Sequence, residues 1–122
     1  MLEGKILIFV NQRSDSEELG RLLENFVKMP VMVLHGDKNQ YERTTIMNHF
    51  KAEGQILVAT EVAARGIDVK NIKTVINYEC PKNIENYIHR VGRAGRAGET
   101  GIAYTFLLPK DVKFAVSLIG IF

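Results

Sequence analysis

A chain of 122 residues, 46% apolar and 25% charged, is long enough to bury one hydrophobic core and too ordinary in composition for a disordered or fibrous protein. Its net charge of +2 excludes a polybasic tail and a protein that coats nucleic acid through bulk charge, so any nucleic-acid contact depends on where individual cations sit. Cys80 is the single cysteine, which excludes an internal disulfide framework and fits an intracellular setting; no stretch has the form of a signal peptide or a membrane span.

Along the chain, short β-rich runs alternate with helical patterns. "KILIFV" (5–10), "PVMVLH" (30–35), "QILVAT" (55–60), "TVINY" (74–78) and "IAYTFLL" (102–108) predict five strands. Each is continuously apolar, as strands covered on both faces are. Between the first two, "SDSEELGRLLENF" has Ser14 and Glu17 at capping-box spacing and Leu19, Leu22, Leu23 and Phe26 at helical intervals, which predicts an amphipathic helix. "NQYERTTIMNHF" predicts a second helix, with Asn39 as cap, Ile46, Met47 and Phe50 facing inward, and His49 structural; "NIENYIHRVG" and "DVKFAVSLI" follow the fourth and fifth strands. Repeated βα units require right-handed crossovers. The predicted fold is therefore α/β, a doubly wound parallel sheet in three layers, as one domain over 1–122. An apolar run at one end and an apolar helical pattern at the other suggest a piece of a longer protein.

In doubly wound sheets ligands bind beyond the carboxyl ends of the strands, so chemistry is sought just after each one. "HRVGRAGRAG" (89–98) follows the fourth strand and holds three arginines and three glycines with no acidic residue. Arg90 and Arg93 are three apart, one helical face, and Arg96 follows Gly95; guanidinium forks with little steric cover suit phosphate oxygens. Its G-x-x-G-x-x-G spacing is not the G-x-G-x-x-G of dinucleotide sites, which argues against an oxidoreductase. "ATEVAARGID" (59–68) offers the Thr60 hydroxyl to a phosphate and Asp68 to ribose hydroxyls. "HGDKNQYER" (35–43) places Gly36 at a strand end and Gln40 and Arg43 on one face of a helix start, where backbone N–H groups and Arg43 can hold a nucleic-acid phosphate. The competing reading for Arg43 is a surface pair with Glu42 or Asp37.

Taken in order, these segments resemble the second RecA-like lobe of a DEAD-box ATP-dependent RNA helicase, from about Lys5 to Ala115. "LIFVN" is similar to motif IV, "QYER" to the Q-x-x-R motif, "ATEVAARGID" to motif V, "VINYE" to the strand motif after it, and "HRVGRAGR" to motif VI. The resemblance implies that Arg93 and Arg96 act as arginine fingers on ATP, with Gly66 and Asp68 also at the nucleotide. It implies RNA backbone contacts from Gly36, Arg43 and Thr60, with Gln40 ordering the local network and His89 and Arg90 meeting a partner lobe. One departure is Glu61, where the family usually has aspartate.

A P-loop reads G-x-x-x-x-G-K-[ST], and the only Gly-Lys pair is Gly4-Lys5, followed by Ile6; no Asp-Glu-Ala-Asp occurs either. ATP and its Mg²⁺ are accordingly expected to be held mainly by an N-terminal RecA-like lobe, and this chain alone is expected to be inactive, with no metal ligand of its own. RNA and that lobe are the expected partners, and no membrane is expected. The alternative is a non-catalytic RNA- or protein-binding module with the same fold.

Overall fold

The computed structural model describes residues 4–65, 69, 71–95 and 101–120. Five strands, β1 (Lys5–Val10), β2 (Val31–Leu34), β3 (Ile56–Thr60), β4 (Ile72–Asn77) and β5 (Ile102–Thr105), form one parallel sheet in the order β2-β3-β1-β4-β5. The helices are α1 (Arg13–Val27), α2 (Gln40–Ala52), α3 (Glu61–Ala64), α4 (Ile84–Val91) and α5 (Val112–Gly120), the last entered through a 3₁₀ turn at Pro109–Asp111.

The continuous apolar strands do what their pattern requires. Leu7 and Phe9 of β1, with Leu57 and Ala59 of β3, face α2 and α3, where Phe50 is fully buried and Ile46 and Met47 pack against the same cluster. Ile8, Val10, Ile56 and Val58 point the other way, onto Leu19 and Leu23 of α1. Period-two alternation thus serves two cores, one on each face of the sheet. Gly20 lets α1 lie close on β2, since a Cβ there would collide with the Val33 side chain. No helix among the described residues is long and apolar enough to cross a membrane.

Three expectations are corrected. Helix α1 begins at Arg13 behind Gln12, without a side-chain cap; Ser14 and Glu17 do not form the capping box, because Glu17 is drawn into pairs with His35 and Lys38. Phe26 is 83% exposed and Leu22 46%, the helix rolling its Leu19 and Leu23 stripe onto the sheet and leaving the others outside. Strand β5 is not buried on both faces: Ile102 is 51% and Tyr104 44% exposed, because β5 is the edge strand of the described sheet and pairs only with β4. The Asn39 cap of α2 forms as expected, as a full capping box with Glu42, each side chain accepting from the other's backbone N–H, an arrangement worth about 1 kcal/mol.

Candidate functional site at the carboxyl edge of the sheet

The chain leaves β1 toward β2 on one side and leaves β4 toward β5 on the other, so the carboxyl ends of β1 and β4 diverge into the crevice that such sheets offer to ligands. Arg90 fills it. Its side chain is 2% exposed, and its guanidinium donates to Glu61 Oε1 at 2.7 Å, to Asn11 Oδ1 at 2.8 Å, to the Glu79 carbonyl at 3.1 Å and, at 3.5 Å, to Asn77 Oδ1. The Phe9 ring lies 5.2 Å beneath it. One side chain therefore ties together the segments that follow β1, β3 and β4. Glu61, the departure from the usual family aspartate, is the acid of this pair. Its extra methylene is accommodated in a contact of good length for a charged hydrogen bond.

Arg90 and Arg93 do not share one helical face. Helix α4 ends at Val91, and the chain continues in tight turns in which Arg93 N–H donates to Arg90 O at 3.2 Å and Ala94 N–H to Val91 O at 3.1 Å. Gly95 then takes φ +64°, a left-handed conformation that favours glycine, and donates to Ile72 O at 3.1 Å. The buried Arg90 and the Gly95 tie bracket Arg93 from both sides. Around the Arg90–Glu61 pair, Arg65, His89 and Arg93 border a small opening of about 30 Å³, room for roughly one water. His89 is exposed and Arg93 half-buried. Gly66, Asp68 and Arg96 lie outside the described residues.

The second group of candidates surrounds the β2–α2 turn. His35 is buried; its Nδ1 accepts from Asp37 N–H at 3.1 Å, so Nε2 carries the proton and donates to Glu17 Oε1 at 2.9 Å. Lys38 also reaches Glu17, at 3.1 Å, and Arg13 pairs with Asp37 at 2.9 Å. Burial pushes the Glu17 carboxyl up, and its bonds to Lys38 and His35 outweigh this and hold it below its ordinary value. Helix α1 thus clamps the turn that carries Gly36. Gly36 is exposed, and a Cβ built on it would meet none of the described residues within 4 Å. No described neighbour requires glycine there.

Arg43 is half-buried and donates to Ala63 O at 3.3 Å, bridging α2 to α3. Its two competing acids are engaged elsewhere, Glu42 in the capping box and Asp37 with Arg13. Gln40 donates to Thr44 Oγ1 at 3.2 Å. Thr60 is 8% exposed at the end of β3, where its backbone caps α3 without a side-chain bond. Gly36 and Arg43 therefore follow β2, and Thr60 ends the adjacent strand β3, on the same edge as the Arg90 crevice.

Sequence reasoning missed Asn11, Asn77 and Glu79 as partners of Arg90. The available signal was a polar residue ending an apolar strand, as in "LIFVN" and "VIN". Cys80 lies nearby in a groove with Tyr78, Phe106 and Asp111; burial pushes its thiol above the ordinary value and Asp111 adds to this, the reverse of an activated nucleophile. Among the described residues no three His, Cys, Asp or Glu side chains converge as metal ligands.

The family model described as the helicase conserved C-terminal domain matches residues 1–98. The chain is 48% identical over 119 residues to the DEAD-box ATP-dependent RNA helicase 40 of Oryza sativa subsp. japonica, covering 97% of this chain and 15% of that protein. Among solved structures it is similar to the yeast DEAD-box splicing factor Prp28, with a TM-score of 0.91 and 35% identity over 98% of this chain and 27% of that one. It is also similar to helicase domain 2 of Mss116p, solved bound to an RNA duplex, with a TM-score of 0.87 and 32% identity over 96% of this chain and 47% of that one. The chain therefore spans a small part of the length of the curated relatives it matches. The expected RecA-like, doubly wound architecture is the architecture of these neighbours.

Proposed function

From the premise that this chain belongs to the helicase conserved C-terminal domain family, we propose that it is the second lobe of an ATP-dependent DEAD-box RNA helicase. In this reading it supplies arginine fingers to a nucleotide held on another lobe, and part of the surface that grips the RNA backbone. The observation that supports it most is the bracketing of Arg93. The turn after α4 is tied to the buried Arg90 on one side and to Ile72 O through Gly95 on the other, so a guanidinium is presented beside Arg65 and His89 at one opening.

ATP with Mg²⁺ would supply the phosphoryl group and its charge-neutralising ion, both held mainly by the other lobe. The opening is bordered mainly by cationic and imidazole donors, Arg65, His89 and Arg93, while Glu61 is engaged by Arg90, which fits a surface that faces phosphate. Arg93, with Arg96, would meet the charge that develops on the transferring group. Arg90 would act as a positioning residue, holding the segments after β1, β3 and β4 in register, rather than as an interlobe contact. Gly66 and Asp68 would meet the nucleotide, and His89 the partner lobe.

On the RNA side, Gly36, Arg43 and Thr60 would contact phosphate and sugar, with Gln40 ordering the start of α2. Backbone contacts position a strand without reading its bases. Closing of the two lobes by ATP and RNA would strain a duplex locally, and hydrolysis would release it.

The experiment is RNA binding by the native protein carrying this chain, compared with its Arg43→Ala variant on single strands of unrelated sequence. Loss of one charged hydrogen-bonding group predicts a drop of roughly tenfold or more, the same for every sequence. A drop confined to one sequence, or none, would count against the backbone reading.

A further inference from the structure

A groove with a volume of about 290 Å³ runs between α2 and α3, bordered by the cations Arg43, Lys51 and Arg65 and the polar side chains Gln40, Thr44 and Asn48. Among the described residues no carboxylate lines it. Gln40, Thr44 and Asn48 recur every four residues, as do Arg43, Met47 and Lys51, so two neighbouring rows follow the axis of α2 along the groove. Lys51 lies eight residues beyond Arg43, about 12 Å along the helix. That length is enough to pass more than one backbone phosphate of a nucleic-acid strand.

Lys51 stands in the last turn of α2, where a cation also complements the helix dipole. The nearby carbonyl of Gly54, however, already receives Lys5 Nζ at 2.7 Å. The acid at this helix end, Glu53, lies 3.8 Å from His49. Lys51 is exposed, at a wall of the groove where no described residue is an acid.

We propose that Lys51, assisted by the Asn48 amide, binds a further RNA backbone phosphate beyond the one met by Arg43, so that the RNA path continues along α2 in this groove. The inference rests on the RNA-surface reading above. Two cations, Arg43 and Lys51, in one row beside a parallel row of neutral polar side chains, Gln40, Thr44 and Asn48, suit a polymer of regularly spaced phosphates better than an isolated anion.

The test is the salt dependence of RNA affinity in the native protein carrying this chain, between about 50 and 200 mM salt, for the unaltered protein and for Lys51→Gln, Lys51→Arg and Arg43→Ala. Loss of one phosphate contact on a single strand lowers the slope of log affinity against log salt by about 0.7. The expected result is that loss in Lys51→Gln, independent of RNA sequence, with Lys51→Arg close to the unaltered protein. An unchanged slope in Lys51→Gln beside a lowered one in Arg43→Ala would overturn the extended path and leave the RNA surface standing. An unchanged slope in both would overturn both. Lowered thermal stability of Lys51→Gln with an unchanged slope would reduce Lys51 to a helix-end charge and overturn the proposal. Displacement by polyglutamate that depends on Lys51, with no effect of Lys51→Gln on RNA affinity, would assign the groove to an acidic protein partner instead.

Discussion

Arg93→Ala in the native protein carrying this chain is expected, on the proposed function, to lower RNA-stimulated ATP hydrolysis by about 10³-fold or more, the scale on which arginine fingers act in phosphoryl transfer. Arg93 follows the end of α4 in a turn whose backbone is bonded to Arg90 O before it, and Gly95 is bonded to Ile72 O after it, so its guanidinium starts from a fixed base at the carboxyl edge of the sheet. A donor held in place stabilises developing charge without reorganising at the moment of reaction. Arg93→Lys is expected to recover little, because an ammonium lacks the planar fork. RNA affinity in the absence of nucleotide is expected to stay within the range of the unaltered protein, since Arg93 does not border the Arg43 groove. ATP turnover measured with and without RNA checks both, and unchanged turnover would remove Arg93 from the nucleotide.

The largest effect on stability is expected from Arg90→Ala, about 3–5 kcal/mol in chemical denaturation, the cost of leaving buried charge and polar groups without their partner. Glu61, Asn11, Asn77 and the Glu79 carbonyl would each lose a donor, and the Phe9 ring would lose its cation. The double variant Arg90→Ala, Glu61→Ala is expected to be less destabilised than the sum of the two single changes, because removing the acid also removes the uncompensated charge. A cost for Arg90→Ala within the roughly 0.5 kcal/mol typical of surface substitutions would contradict the account of the crevice. The two predictions separate cleanly. Arg93 acts on turnover with the fold intact, and Arg90 acts on the fold.

Most of the architecture was legible because the inner strands β1, β3 and β4 are largely buried and write themselves as apolar runs. "KILIFV" became β1 without a residue's change, and Asn39 marked the start of α2. The misreadings arose where a residue's partner is distant in sequence. Glu17 has capping spacing to Ser14, yet its partners are His35, eighteen residues on, and Lys38. Arg90 has helical spacing to Arg93, yet it is drawn inward by Glu61, 29 residues away, and by Asn11, 79 away. Burial of a cation cannot be read from a local pattern, because it depends on which acids and amides the fold converges on it. The exposed side of β5 has the same origin: an apolar run says that a strand can be covered, while its place at the sheet edge decides whether it is.

The most direct measurement is ATP hydrolysis titrated with RNA, made in parallel on the native protein carrying this chain and on the 122-residue chain alone. If this lobe supplies arginines to a nucleotide held elsewhere, the native protein hydrolyses ATP and RNA accelerates it, while the isolated chain shows no turnover above the uncatalysed rate at any RNA concentration. Turnover by the isolated chain, or a native protein whose hydrolysis RNA leaves untouched, would contradict that claim.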